Sequence, residues 1–203
     1  MSLGRRDFLG SVGAAGLAPF AAPGAAPGAA PGTAPEAAPG RERRDTAAAP
    51  PGHEHFMAAA IEEGRRNERY PFGAVLVRAG QVVGRGVNAA QDGPTYHGEM
   101  VAIDDYGQPY GSPEWAGTAL YTTAEPCPMC MSACAWAGID QVLWGTSIEG
   151  LRRTGLVQID LSATDVARAA GSFYRPGLLL GGVLADRTDE LFRHAQAVRE
   201  GRE

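Results

Sequence analysis

The feature that most restricts this chain is a pair of short motifs, His97-Gly98-Glu99 and Pro126-Cys127-Pro128-Met129-Cys130, each opening a predicted helix. Cys127 and Cys130 are three positions apart, so on a first helical turn both sulfurs lie on one side and can reach one tetrahedral zinc ion. His97 completes three protein ligands. A fold that satisfies these residues must bring two helix starts, far apart in sequence, to a single point.

That there are three ligands and not four is informative. A structural zinc site is usually closed, whereas a catalytic one keeps a position open for water. Zinc and the positive ends of two helices both favour thiolate, so Cys127 and Cys130 are expected as deprotonated ligands and not as disulfide partners. Glu99, two residues past the histidine, is then placed to take a proton from that water and return protons to a substrate. Cys134 lies one full helical turn beyond Cys130, which carries it away from the metal, and it reads as a buried free thiol.

The surrounding pattern alternates helix and strand. It predicts helices over 53–67, 97–106, 127–138, 165–170 and 186–199, and strands over 72–78, 82–88, 119–123, 141–145 and 178–184. Residues 79–81 read as a hairpin turn, Gly138 as a left-handed helix end, and Asp186 as a helix cap. Short apolar strands between helices imply a layered α/β sheet. Of the 203 residues, about 150 follow residue 52, enough to bury roughly two-thirds of their unfolded surface in one core.

The first quarter differs in kind. Gly4-Arg5-Arg6-Asp7-Phe8-Leu9-Gly10, followed by an uncharged stretch to residue 22, resembles a twin-arginine export signal. Its apolar run is too short and too rich in Gly and Ala for a permanent membrane anchor. Residues 23–52 repeat Ala, Pro and Gly with no large apolar side chain and read as an extended, disordered linker. The expected organisation is thus a signal over 1–22, a linker over 23–52 and a zinc domain over 53–203, working outside the cytoplasm or in the cell envelope.

Charge narrows the partner. The net charge is −5, the chain has arginine but no lysine, and the arginines are dispersed among acids. A protein that grips phosphates needs a basic face, so a nucleic-acid partner is not expected and a small uncharged substrate fits better. With no lysine in the chain, Schiff-base chemistry is excluded.

His-x-Glu followed by Pro-Cys-x-x-Cys is the signature of the cytidine-deaminase-like superfamily, and this chain resembles that family from about residue 53 to 194. The resemblance is strongest to bacterial guanine deaminases and tRNA adenosine deaminases, through Pro71-Phe72-Gly73-Ala74-Val75, Asn88, and Thr123-Ala124-Glu125-Pro126-Cys127-Pro128-Met129-Cys130. It implies a three-layer α/β/α sandwich with a five-stranded mixed sheet, one zinc per chain, commonly a homodimer, and hydrolytic removal of an amine from a base. It also implies that Asn88 hydrogen-bonds the base, that Phe72 and Ala74 line the pocket, and that Glu149 serves as a second carboxylate for purine protons. Gly98 departs from the family's usual alanine, which adds backbone freedom but removes no chemical group.

The reading that results is a zinc-dependent deaminase of a free nucleobase or nucleoside, with guanine the leading candidate. The alternatives are deamination of adenosine or cytidine within nucleic acid, and a zinc-stabilised binding module without catalysis, which the intact Glu99 argues against. Trp136 and Trp144 read as core, His53, His55 and His194 as ordinary surface residues, and Glu149 equally well as a solvated loop carboxylate.

Overall fold

The structure is a computed structural model, and it describes residues 52–108 and 114–202. The expected signal and all of the linker except Gly52 lie outside the described residues. Among the described residues no helix is long and apolar enough to cross a membrane.

The elements run α1 (His53–Gly64), β1 (Gly73–Arg78), β2 (Gln81–Val87), α2 (Gly98–Gly107), β3 (Thr118–Ala124), α3 (Pro128–Ala137), β4 (Gln141–Thr146), α4 (Ile148–Arg153), α5 (Ala163–Ala169), β5 (Leu178–Leu180) and α6 (Ala185–Glu200). The five strands form one mixed sheet in the order β2-β1-β3-β4-β5. β1 pairs antiparallel with both β2 and β3, while β3–β4 and β4–β5 are parallel. The β1–β2 turn is tighter than expected: Arg78 pairs with Gln81, and Ala79 and Gly80 between them have φ of 50° and 74°. Two consecutive positive φ values match the right-handed twist of a hairpin.

Alternate residues of the inner strands part to two cores. Ala74, Leu76, Leu120, Val142 and Trp144 pack with α2, α3 and α5, while Val75, Val77, Tyr121 and Leu143 pack with Met57, Ala60 and Ile61 of α1 and Leu191 of α6. A sheet covered on both faces has no solvated side, which is why β3 is buried along its whole length. The implied five-stranded sheet with helices on both faces is present.

Several boundaries differ for local reasons. α1 ends at Gly64, not near residue 67, because the Asn67 side chain takes over the turn: its Oδ1 accepts from Tyr70 N at 3.0 Å and its Nδ2 donates to Asn88 O at 2.9 Å. β5 stops at Leu180, where Gly181 lies against the Trp144 ring and Gly182 has φ 82°. Leu184, not Asp186, occupies the cap position of α6, with φ 52° and no side-chain cap bond. Gly138 does close α3 in the left-handed conformation, with φ 75°.

The side chains read as bland also divide. Trp144 is buried, but Trp136 is 77% exposed, since α3 turns Cys130, Met131, Cys134 and Ala135 inward; it stacks on Phe173 with ring centroids 4.6 Å apart. His53 is no ordinary surface residue, because its Nδ1 lies 2.7 Å from the buried Tyr121 hydroxyl. His55 and His194 are exposed.

Candidate active site

His97 and Cys127 each occupy the cap position before a helix, α2 and α3 respectively, in extended backbone with ψ of 155° and 165°. Pro128 follows at the first position of α3, where its missing N–H costs nothing and its fixed φ suits the helix. β3 delivers Cys127 from one strand end, and the Glu125 N–H donates to Thr146 O at 2.7 Å, joining β3 to the end of its parallel neighbour β4. The site therefore sits at the carboxyl ends of two parallel strands and the amino ends of two helices, where an open α/β sheet places its ligands.

The three ligand atoms form a nearly equilateral triangle. His97 Nδ1 is 3.6 Å from Cys127 Sγ and 3.6 Å from Cys130 Sγ, and the sulfurs are 3.6 Å apart. For a tetrahedral zinc about 2.3 Å from sulfur and about 2.0 Å from nitrogen, such edges come to roughly 3.5–3.8 Å. These residues fit the ion, and among the described residues they are the group that can hold one. Cys134, fully buried among core side chains, stays outside the triangle.

Of the three ligands, Cys127 alone is pushed toward the ionised form expected of it, while Cys130 and His97 are pushed toward their protonated forms and must give up a proton to a metal. The hydrogen bond from Cys130 pulls the Cys127 thiol down to about 4, with His97 adding to the effect, whereas Cys130 as that donor is held protonated. Bonding to Cys127 in turn raises His97 above its ordinary value. Glu99 is 3% exposed, and burial raises its carboxyl. Its Oε2 lies 3.6 Å from Cys130 Sγ, and its Oε1 accepts from Thr122 Oγ1 at 3.2 Å.

Gly98 has a stricter role than backbone freedom. A Cβ at this position would stand 2.3 Å from the Phe72 carbonyl oxygen, so only glycine lets the start of α2 approach the segment that enters β1. That approach sets His97 and Glu99 in place on either side of it.

A cavity of about 630 Å³ opens above these groups, a volume suited to a small molecule. His97, Glu99 and Cys127 line it, as do Phe72 and Asn88. The Asn88 backbone is held by Phe72 O at 2.9 Å and by Asn67, while its carboxamide has no protein partner among the described residues. Ala74 is fully buried beneath α2 and does not line the cavity, because β1 turns its methyl into the core with Leu76 and Ala102. Glu149 is not brought to the cavity either: it lies in the first turn of α4, its side chain is 79% exposed, and it pairs with Arg153 at 2.8 Å. That short helix, capped by Ser147 Oγ on Gly150 N, stands where a loop was expected.

The cavity is also lined by residues not expected from the sequence: Tyr70, Glu125, Leu156, Val157, Gln158 and Ile159. The signal for the last four was Leu156-Val157-x-Ile159 after Gly155, an apolar run with neither helical nor strand context.

Comparison with known proteins is consistent with this geometry. Residues 51–146 match the family described as the cytidine and deoxycytidylate deaminase zinc-binding region. A tRNA-specific adenosine deaminase of Streptococcus pyogenes is 31% identical over 143 residues, covering 61% of this chain and 90% of that protein. A solved structure from work on A-to-I editing by tRNA deaminases at the wobble position has a TM-score of 0.56 and 26% identity, over 68% of this chain and 98% of its own. The guanine deaminase of Nitrosomonas europaea shares the fold, with a TM-score of 0.60 and 22% identity over 74% of this chain and 86% of its own. On these matches and on its ligand triangle, the chain belongs to the cytidine and deoxycytidylate deaminase zinc-binding family.

Proposed function

We propose that this chain hydrolytically deaminates a free nucleobase or nucleoside, with guanine the first candidate. The observation that carries this reading is the buried Glu99 carboxylate beside the three-ligand triangle on the floor of one small-molecule cavity. When bound, zinc supplies a water made acidic enough to act as a nucleophile near neutral pH. Glu99 takes a proton from the attacking water and passes protons to the ring nitrogen and the departing amine. Water adds at the ring carbon, the carbon–nitrogen bond breaks, ammonia leaves and a carbonyl remains. The Asn88 carboxamide offers a donor and an acceptor to the edge of the base, and among the described residues no protein group takes either.

A second reading is deamination within RNA. The Streptococcus pyogenes relative is tRNA-specific, and a shallow groove that shares Asn88 and Gln91 with the cavity is lined by Arg65, Arg66 and Arg69. Against it stand the net charge of −5 and the pairing of Arg65 with Glu62 and Arg66 with Glu63. Export by the twin-arginine route, proposed from Arg5, Arg6 and the following apolar stretch, would also part this chain from tRNA.

The test is ammonia release by zinc-loaded protein given guanine, guanosine, cytosine, cytidine, adenine, adenosine or single-stranded RNA. Release from a free base or nucleoside is expected. Release from RNA alone supports the second reading, and release from none overturns both.

A further inference from the structure

Glu125 stands in the cavity wall two residues before Cys127, yet it does not belong to the metal-holding group. Its carboxylate takes two backbone amides instead. Oε2 accepts from Ile148 N at 3.0 Å and Oε1 accepts from Ala163 N at 3.0 Å. Ile148 and Ala163 are the first residues of α4 and α5. The serine caps of these helices, Ser147 and Ser162, already serve Gly150 N and Asp165 N, so they leave the first amides for another acceptor. One anion thus holds two helix starts by charge-assisted bonds, in the orientation the helix dipoles favour.

The chain between those two starts forms part of the cavity wall. It leaves α4 through Gly155 at φ 76° and runs over residues 156–161 without regular structure. Leu156, Val157 and Ile159 of this span line the cavity, with Val157 95% and Ile159 63% exposed. Side chains so exposed add little to the core. In the cavity that Asn88 also lines, they offer apolar surface suited to the flat face of a ring.

We propose that Glu125 is a positioning residue: by holding the starts of α4 and α5 together it sets where Leu156, Val157 and Ile159 stand over the substrate, and these three form a specificity-determining wall. The proposal rests on the deaminase reading of the cavity. Glutamate suits the task because aspartate is a methylene shorter and reaches one amide at most, while glutamine turns an N–H toward an N–H.

The experiment compares full-length, zinc-loaded wild type with Glu125→Gln, Glu125→Asp and Val157→Ala/Ile159→Ala. Glu125→Gln should raise KM about tenfold with kcat within about twofold, at unchanged zinc content. Val157→Ala/Ile159→Ala should raise KM alike, and adding it to Glu125→Gln should give much less than the product of the two effects, because both act on one wall. Glu125→Asp should move KM the same way by less, which keeps the test open should the glutamine variant not fold. Amide hydrogen exchange should quicken over residues 148–163 in Glu125→Gln and stay as in wild type over α1 and α2. A loss of kcat at constant KM, a loss of zinc, or full multiplicativity would overturn the proposal. Unchanged exchange over 148–163 would overturn it whether or not the wild type turns over any base, and so separates its failure from that of the deaminase reading.

Discussion

Thr122 Oγ1 donates to Glu99 Oε1 at 3.2 Å, from the middle of a strand that is buried throughout. This bond favours the charged carboxylate and so opposes the burial that raises the Glu99 carboxyl. Removing it leaves burial less opposed, so in Thr122→Val the carboxyl rises further. The acidic limb of the pH–rate profile should then move to higher pH, with turnover below neutrality falling about tenfold and zinc content unchanged. An unmoved acidic limb would show that this bond does not tune the acid.

In metal-stripped protein, the hydrogen bond from Cys130 holds Cys127 near 4, so Cys127 is thiolate at every pH above that value. An ordinary thiol loses about tenfold in thiolate per pH unit below roughly 8.5. Alkylation of the stripped protein with iodoacetamide should therefore stay nearly flat from pH 8 to pH 5 at Cys127, as read by mass spectrometry. Zinc should block it. A rate that falls with pH as for a free thiol would contradict the assignment.

Gly98→Ala should be severe for so small a change. The new methyl meets the Phe72 carbonyl at 2.3 Å, a backbone atom that cannot rotate away. The start of α2 must shift, and misplacing a catalytic group by about 1 Å can cost about 100-fold in rate. A melting temperature and zinc content near wild type together with full turnover would show that α2 has room after all.

Cys130→Ala and Cys134→Ala separate ligand from core. Loss of one sulfur from the triangle should abolish tight zinc binding, whereas Cys134→Ala should keep about one zinc per chain and lower stability modestly, by about 1 kcal/mol. Metal analysis of the two purified variants decides this, and zinc loss in Cys134→Ala would contradict the three-ligand site.

The ligands, Glu99, the β1–β2 hairpin and the left-handed Gly138 were legible because each is marked by a short local motif, although the two ligand motifs are far apart in the chain. What eluded the sequence depends on distant partners. Trp136 looked like core because its size says nothing of which way α3 faces, and His53 looked like surface because Tyr121 meets it only once α1 packs on β3. Asp186 reads as a cap, but left-handed Leu184, two residues before it, holds the cap position and α6 starts at Ala185. The Val157–Ile159 wall carries no periodicity, and the helix starts on either side of it are held by Glu125 from outside the segment.

Turnover by Glu99→Gln at measured zinc occupancy decides whether Glu99 carries the protons. The substitution keeps the shape of the buried side chain and removes its capacity to carry protons. Glu99 as the proton carrier implies one bound zinc, a melting temperature close to wild type, and a kcat reduced by about 10²- to 10⁴-fold in this variant. A Glu99→Gln protein that holds zinc and releases ammonia at the wild-type rate would contradict that role.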